Sequence, residues 1–286
     1  MRIALLTPAA DYPERFEWAF DVQAEALRSR GADLHAIRWT EPGTLLEYDL
    51  VLPLVAWGYH LRYKEWLAFI DRAERDLVPM INPPALLRWN SHKRYLAELG
   101  DTGIATVPTS NVEQCSEADL AAARERFGSG RLVIKPPVSA GAFGTFLLED
   151  GDALPEQASG QPTIIQPMLE TVASEGEYSL LLFDGVLSHA VVKRPRAGEF
   201  RVQPHLGGTT ERCEPPAGGL QLAERALAAA PAHATYARVD MIRGDDGALQ
   251  IMELELIEPA LFLDLAPGSG AAFADAVILT AERARH

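Results

Sequence analysis

The stretch that decides the fold reads Tyr236-Ala-Arg-Val-Asp-Met-Ile-Arg243, then Gly-Asp-Asp-Gly, then Ala248-Leu-Gln-Ile-Met-Glu-Leu-Glu-Leu256. Two apolar runs around a glycine and aspartate turn are typical of a β-hairpin. Because strand side chains alternate between faces, Arg238 and Asp240 share one face, and Glu253 and Glu255 share a face of the return strand. A four-residue turn at 244–247 would pair Arg238 with Glu253 and Asp240 with Ile251, so all four charges fall on one face.

Three carboxylates on one face of this hairpin predict a metal site. Asp240, Glu253 and Glu255 would repel one another, and the repulsion grows as the effective dielectric falls. Carboxylate oxygens suit Mg²⁺ or Mn²⁺, and Mg²⁺ is commonly shared between protein carboxylates and phosphates. A solvated hairpin with its polar face in water stays open as the alternative.

A second segment is typical of a phosphate-binding loop. The run Arg131-Leu-Val-Ile-Lys135 predicts a strand, and the small residues Ser139, Ala140, Gly141 and Gly144 follow it before a second strand. Glycines let backbone amides approach an anion closely, while Lys135 supplies positive charge. The loop matches neither a Walker A motif nor a Rossmann fingerprint, and an ordinary turn is the alternative.

A third segment could hold a nucleoside. An apolar strand runs into Gln166-Pro167-Met168-Leu169, whose backbone could contact an adenine edge while Met168 and Leu169 pack on the ring. Glu177 would lie near the ribose. An ordinary strand and loop would explain this segment equally well by itself.

The order of these three segments resembles the ATP-grasp superfamily, particularly the branch with bacterial glutathione synthetase, the ribosomal-protein glutamate ligases and D-alanine-D-alanine ligase. The resemblance covers about residues 80 to 270. It implies an α/β protein with the ATP-grasp fold and an N-terminal Rossmann-like parallel-sheet domain. It also implies ATP and Mg²⁺ or Mn²⁺ as cofactors.

The resemblance assigns roles to individual residues. Lys93 and Lys135 match the nucleotide lysines, residues 139–144 the flexible loop, residues 166–169 the adenine hinge, and Glu177 the ribose carboxylate. Asp240, Glu253 and Glu255 fall at the metal positions, and the residues that resemble catalytic cations are Arg238, Lys193 and Arg201. The family often ends its metal strand with Glu-x-Asn, whereas this chain has Glu253-Leu-Glu255. A carboxylate still ligates Mg²⁺, so this departure alters charge more than chemistry.

Composition limits the possible partners. A hydrophobic content of 48% over 286 residues predicts a globular protein with large cores. The net charge of −14 argues against nucleic-acid binding. Two cysteines without Cys-x-x-Cys spacing indicate neither disulfides nor a zinc site, and no apolar run is long enough for a membrane span. We expect a cytoplasmic enzyme whose partners are small amino-acid-like molecules, with a homodimer as one option for its assembly.

The chain is predicted to divide into a Rossmann-like domain at 1–90, an ATP-grasp lid subdomain at 91–166 and a catalytic subdomain at 167–286. Strands are expected at 3–7, 33–39, 50–55 and 78–82, and Ser91 is expected to cap a helix that carries Lys93 and ends at Gly100. Ligands of parallel sheets bind at the carboxyl ends of the strands. The loops at 8–13 and 56–60 are therefore substrate candidates, through Asp11, Tyr12, Trp57 and Tyr59.

The expected activity is that of an ATP-dependent carboxylate-amine ligase that forms C–N bonds through an acyl phosphate and releases ADP. An amine and a carboxylate on one molecule would close a ring. Two alternatives remain at this stage, an ATP-binding module without ligase activity and a ligase that modifies a protein terminus. The sequence names neither substrate.

Overall fold

The computed structural model describes residues 1–283, apart from the side chain of His205. The first part of the chain alternates strands and helices, with these bounds: β1 Arg2–Thr7, α1 Glu17–Arg28, β2 Asp33–Arg38, β3 Leu50–Leu52, α2 Tyr63–Arg75, α3 Pro84–Asn90 and α4 Tyr95–Asp101. The three strands form a parallel sheet in the order β2-β1-β3. The segment predicted as a strand at 78–82 contributes only one parallel bridge, between Val51 and Met80. Pro79 and Pro83 flank that bridge and have no N–H groups to extend it.

The middle of the chain forms a four-stranded antiparallel sheet in the order β4-β7-β5-β6. Its elements are β4 Ser110–Val112, α5 Glu117–Phe127, β5 Leu132–Lys135, β6 Phe146–Leu148, β7 Thr163–Pro167 and the short helix α6 Thr171–Ser174. Ser116 and Asp119 form a capping box that starts α5, and Gly128 ends it in a left-handed conformation.

The last part of the chain forms a five-stranded antiparallel sheet in the order β10-β9-β8-β11-β12. Its elements are β8 Glu177–Phe183, β9 Val186–Arg194, β10 Thr209–Cys213, α7 Gly219–Ala228, β11 Tyr236–Arg243, β12 Leu249–Glu255 and α8 Ser269–Arg283. A buried apolar core joins the parallel sheet to this one through α8, where Phe273 and Val277 pack with Leu181 and Phe183. The domain boundaries at residues 90 and 166 stay a prediction.

Side-chain amides attach the N-terminal part to the five-stranded sheet. Asn82 donates to the carbonyls of Tyr236 (3.0 Å) and Leu256 (2.8 Å). Asn90 donates to the carbonyl of Leu254 (2.8 Å) and accepts from the amide of Leu256 (3.0 Å). These bonds satisfy backbone groups at the open end of the hairpin formed by β11 and β12, which would otherwise be unpaired. They also fix the turn after α3 beside β12.

No helix among residues 1–283 combines the length and apolar composition needed to cross a bilayer.

Candidate active site

The predicted hairpin forms, but its register differs from the predicted one. Arg238 lies opposite Glu255 and Asp240 opposite Glu253, with a bulge between Asp240 and Met241. The turn is one residue longer than predicted, since Arg243 pairs with Leu249 and the amide of Gly244 donates to the carbonyl of Ala248 (2.8 Å). The longer turn and the bulge together shift the pairing by two residues. Because two residues preserve the alternation of faces, the four charged side chains still share one face.

Asp240 is the best-compensated acid on this face. Its carboxylate accepts hydrogen bonds from Nε of Arg238 (3.0 Å), Nζ of Lys193 (3.0 Å) and the hydroxyl of Ser179 (2.6 Å). Burial alone would raise its pKa, but the charges of Arg238 and Lys193 outweigh burial and hold the pKa of Asp240 well below its usual value. Asp240 is therefore ionised throughout the neutral range.

For two other carboxyl groups, the nearby cations do not offset the effect of burial on the pKa. Burial raises the pKa of Glu177 to about 7, although Lys193 contacts it. Burial likewise raises the pKa of Glu255 to about 7, although Arg238 contacts it. Within the described residues no group of three or more His, Cys, Asp or Glu side chains converges as a ready-made metal site. The raised pKa values indicate that this face would accept more positive charge.

Lys93 connects the loop after β5 to the acidic strand β12. Its ammonium group donates to the carbonyl of Ser139 (2.6 Å) and lies 2.8 Å from Oε1 of Glu253. Lys93 does not lie on a helix as predicted, because it occupies the turn between α3 and α4. Ser91 ends α3 rather than starting a helix, since its hydroxyl donates to the carbonyl of Leu87 (2.5 Å).

Lys135 lies at the end of β5, half-buried in the same cleft. Within the described part of the chain its ammonium group makes no hydrogen bond or ion pair, and burial lowers its pKa. A half-buried cation without a partner is available to an anionic ligand.

Two glycines determine the backbone conformation of the loop after Lys135. Gly141 and Gly144 have φ values of +59° and +64°, in the left-handed region. A Cβ at Gly144 would lie 2.8 Å from Cγ of Pro136. Phe143 at the loop tip packs against His60 of the N-terminal part, with ring centroids 5.4 Å apart. Ser139 is buried and its hydroxyl donates to the carbonyl of Pro136 (3.2 Å), while Ala140 is half-buried beside it.

The predicted hinge lies beside an apolar cluster between the two antiparallel sheets. Met168 and Leu169 pack there with residues of both sheets and of the loop after β9, namely Val107, Val133, Leu147, Val202, Ile242 and Met252. The amide of Met168 donates to the carbonyl of Arg131 (3.0 Å). Pro167 has no N–H, and Gln166 turns inward to donate to the hydroxyl of Thr109 (2.9 Å). The amide of Leu169 has no protein acceptor within the described residues, so it is free to meet a ligand.

The remaining candidate residues do not all lie in the cleft. Arg201 does not contact the charged cluster, because its guanidinium pairs with Glu199 (2.8 Å). Tyr12 and Trp57 lie together at the carboxyl ends of β1 and β3, with ring centroids 6.4 Å apart. Tyr59 is largely a core residue, 5% exposed and packed on Trp66. Asp11 pairs with Arg62 (2.6 Å) at the surface.

Sequence reasoning missed Glu258, which follows β12 by three residues. Burial, then the charge of Glu255, raises its pKa well above the usual value. An acid immediately before a proline, just after the strand with the predicted metal ligands, was the available signal.

Comparisons with known proteins identify the relatives of this chain. The sequence profile of the family described as "D-cycloserine synthetase DcsG, N-terminal domain" matches residues 3–82. The cycloserine biosynthesis protein DcsG of Streptomyces lavendulae is 33% identical over 299 aligned residues, covering 96% of this chain and 97% of that protein. The crystal structure of D-cycloserine synthetase DcsG superposes with a TM-score of 0.82 at 30% identity, covering 99% of each chain.

A more distant structure extends the comparison. The D-alanine-D-alanine ligase from Bacillus anthracis complexed with ATP gives a TM-score of 0.72 at 20% identity, covering 100% of this chain and 98% of that one. At this identity the likeness concerns the fold alone, and it confirms the predicted α/β fold class. The similarity to DcsG spans almost the whole chain. The chain therefore belongs to the ATP-grasp ligases, enzymes that use ATP to form C–N bonds and release ADP.

Proposed function

We propose that this chain joins a carboxylate and an amine of one small amino-acid-like substrate, closing a ring through an acyl phosphate. The contact of Lys93 with both Ser139 and Glu253 carries the proposal, because it brings the phosphate loop against the acidic strand. A triphosphate between them would meet positive charge from one side and a metal-binding face from the other. Similarity to a cycloserine biosynthesis protein supports the cyclic product.

The nucleotide would bind between the two antiparallel sheets. The apolar cluster around Met168 and Leu169 offers two sides for a purine ring, and the free amide of Leu169 offers a donor to its edge. Glu177 would accept hydrogen bonds from the ribose hydroxyls. Lys93 and Lys135 would contact the phosphates, since Lys135 has no protein partner within the described residues.

We propose that the acidic face binds a divalent ion. Carboxylate oxygens are the ligands that Mg²⁺ or Mn²⁺ prefers, and the raised pKa of Glu255 indicates that positive charge is lacking there. Glu253, Glu255 and Asp240 would hold the ion, with Asp240 becoming available when Lys193 turns toward a phosphate. Bound metal would neutralise phosphate charge during transfer.

The protein side chains would then support two steps. In the first, a substrate carboxylate oxygen attacks the terminal phosphorus and the bond to ADP breaks, while Lys93, Lys135 and Lys193 neutralise the oxygens. In the second, the amine nitrogen attacks the acyl carbon and loses a proton, and phosphate leaves with the C–O electron pair.

Arg238 would stabilise the oxyanion that develops in the second step, because its buried guanidinium is fixed by Asp240 and Glu255. Arg201 would reach the acyl phosphate only by leaving Glu199, so its part in catalysis requires a movement of the loop at 195–208. Tyr12 and Trp57 would line the substrate pocket.

Transfer of an isotope tests this mechanism. Candidate substrates carrying ¹⁸O in the carboxylate are incubated with ATP and Mg²⁺, and inorganic phosphate is analysed by mass. Label must appear in phosphate as the product forms, because one carboxylate oxygen leaves with the phosphoryl group. Ring closure further requires that a single substrate supports turnover and that its product has lost one water. Unlabelled phosphate, or AMP with pyrophosphate, would overturn the acyl-phosphate route.

A further inference from the structure

Glu258 is the one acid of the site that has no cationic partner within the described residues. Glu177 pairs with Lys193, Asp240 with Arg238 and Lys193, Glu253 with Lys93, and Glu255 with Arg238. Glu258 is half-buried, and no hydrogen bond or ion pair to its side chain occurs in the described part of the chain. Five carboxylates therefore face four cations, Lys93, Lys135, Lys193 and Arg238.

The position of Glu258 links the catalytic strand to the candidate substrate loops. Ile257, the residue before Glu258, lies in one buried cluster with Ala56 and Tyr59 of the second loop. Burial raises the pKa values of Tyr12 and Tyr59, and the charge of Glu258 adds to both shifts. The charged groups that act on it in turn are Glu255 and Glu253 on β12, Lys93 in the turn after α3, and Arg238 on β11. Glu258 thus lies where the N-terminal loops meet the end of β12.

The chain after Glu258 bends back over the reaction centre. The carbonyl of Ala260 accepts a hydrogen bond from Arg238 (3.4 Å), and the guanidinium of Arg238 lies 5.7 Å from the ring centroid of Phe262. Arg238 is the residue to which we assign the oxyanion. Glu258 is two residues before Ala260, so it belongs to the segment that contacts the proposed oxyanion residue.

Burial without a paired cation disfavours the ionised form of Glu258, and a positively charged ligand would offset this cost. The neighbouring rings of Tyr12 and Trp57 favour a cation as well, since aromatic faces attract ammonium groups. An amino-acid-like substrate supplies one such group, its α-ammonium, a few bonds from the carboxylate that is phosphorylated.

We infer that Glu258 binds the α-ammonium group of the substrate and thereby selects amino acids over carboxylic acids that lack this group. This assignment rests on the proposed function and adds a specificity residue to it. The bound ammonium would fix the substrate between the N-terminal loops and Arg238, with its carboxylate directed toward the phosphates.

Matched substrate pairs test the assignment. Each pair is an amino acid and the acid from which only the α-amine is missing: alanine and propionate, serine and 3-hydroxypropionate, β-aminooxyalanine and 3-aminooxypropionate, with both enantiomers of each amino acid. ADP release is measured with hydroxylamine present to capture the acyl phosphate. The wild type should prefer the amino acid of its best pair, and Glu258→Gln should lower kcat/KM for that amino acid about 100-fold, the loss expected for a hydrogen bond to a charged group.

The deaminated partner separates recognition from damage. Its kcat/KM should be nearly the same for Glu258→Gln and the wild type, because neither can make the missing contact. If Glu258 had a merely structural role, its replacement would lower kcat/KM equally for both members of the pair. Glu258→Asp, which keeps the charge, should retain part of the preference and replaces Glu258→Gln in the same comparison if that variant does not fold. Glu224→Gln, an exposed acid on α7, serves as the matched control.

The outcomes distinguish the two proposals. A preference for the amino acid that survives in Glu258→Gln overturns the role of Glu258 and leaves the ligase proposal intact. An equal loss of kcat/KM for both members of the pair would show that Glu258 supports the fold or the metal-binding face. This result would also overturn the inference. A wild type that activates no member of any pair overturns the proposed substrate class, and this inference with it.

Discussion

The ammonium group of Lys193 lies 3.0 Å from Oδ2 of Asp240, and both side chains are almost completely buried. Lys193 also contacts Glu177 on the neighbouring strand, so it pairs with two acids. The burial of Lys193 would lower its pKa, but the two carboxylates outweigh burial and raise it. Glu177, Lys193, Asp240 and Arg238 thus form one ion-pair network.

Replacement of Lys193 tests this network. Lys193→Met leaves Glu177 and Asp240 buried with one cation fewer, so we expect the free energy of unfolding to fall by about 3 kcal/mol, as when one partner of a buried pair is removed. Adding Glu177→Gln should recover part of that loss, since it removes one uncompensated acid. Urea unfolding of both variants measures the change. Lys64→Met, at an exposed position on α2, should be neutral, and a similar loss there would refute the argument.

Lys135 should contribute strongly to nucleotide affinity. ATP with Mg²⁺ stabilises the folded state by binding to it, so it raises the melting temperature of the wild type. Lys135→Ala should remove most of that shift, with affinity about 100-fold lower, because a contact from a charged donor is lost. GTP should give a smaller shift than ATP, since its base edge differs from that of adenine at the Leu169 amide. Equal shifts from all nucleoside triphosphates would exclude the hinge at 166–169 as an adenine site.

Two glycines of the loop provide a matched pair. Gly144→Ala forces a left-handed alanine and places its Cβ against Pro136, whereas Gly141→Ala has a similar φ with no atom within 4 Å of the Cβ. Both variants carry a backbone cost of about 1 kcal/mol. Only Gly144→Ala should also displace the loop, which would raise the KM for ATP well beyond that of Gly141→Ala. Equal kinetics in the two variants would show that the contact with Pro136 does not position the loop.

Glu253 and Glu255 should determine the Mg²⁺ requirement. Each Gln variant removes a proposed ligand from the rim of the cleft, so turnover at limiting Mg²⁺ should fall at least about 10-fold, the effect that even outer-shell partners produce. A titration of rate against Mg²⁺ measures this, with Glu224→Gln as the control. Near-normal rates at limiting metal would remove the affected residue from the ligand set.

Local patterns predicted the parts of the site that strands and turns determine. Strand side chains alternate between the two faces of a sheet, so the face of a residue depends only on its position along its own strand. This rule correctly placed four charged residues on one face, namely Arg238, Asp240, Glu253 and Glu255. The register was wrong because it depends on a bulge and a turn length that no single side chain specifies. The resemblance to ATP-grasp enzymes supplied Lys93, which has no local signal.

Tertiary packing determined what the sequence did not reveal. Ser91 has the composition of a helix start, yet it ends α3 because Trp66 donates to its hydroxyl (2.9 Å) from another helix. Asn82 and Asn90 resemble ordinary loop residues, and their hydrogen bonds to strands more than 150 residues away attach the two parts of the protein. Glu258 became a candidate only when its lack of a cationic partner was visible.

The last prediction concerns His60, whose ring packs on Phe143 at the loop tip. Burial lowers the pKa of His60 to about 4, and the charge of Lys93 acts in the same direction. Its Nδ1 is buried and has no acceptor, so a proton there would have no partner. The unfolded chain, in contrast, gains this proton near the ordinary histidine pKa of about 6.5.

The sign of the pH dependence follows from this difference. A lowered folded-state pKa stabilises the fold above the unfolded value and loses that contribution as pH falls from about 6.5 toward about 4. His60→Gln should therefore be less sensitive to acid than the wild type, by on the order of 1 kcal/mol across that window after allowance for solvent screening. Urea unfolding at several pH values gives the comparison, in which His92 and His189 contribute equally to both proteins because burial lowers their pKa values in each. Parallel stability curves for the two proteins would mean that His60 binds its proton equally well in the folded and unfolded states, and would refute the lowered pKa of the folded state.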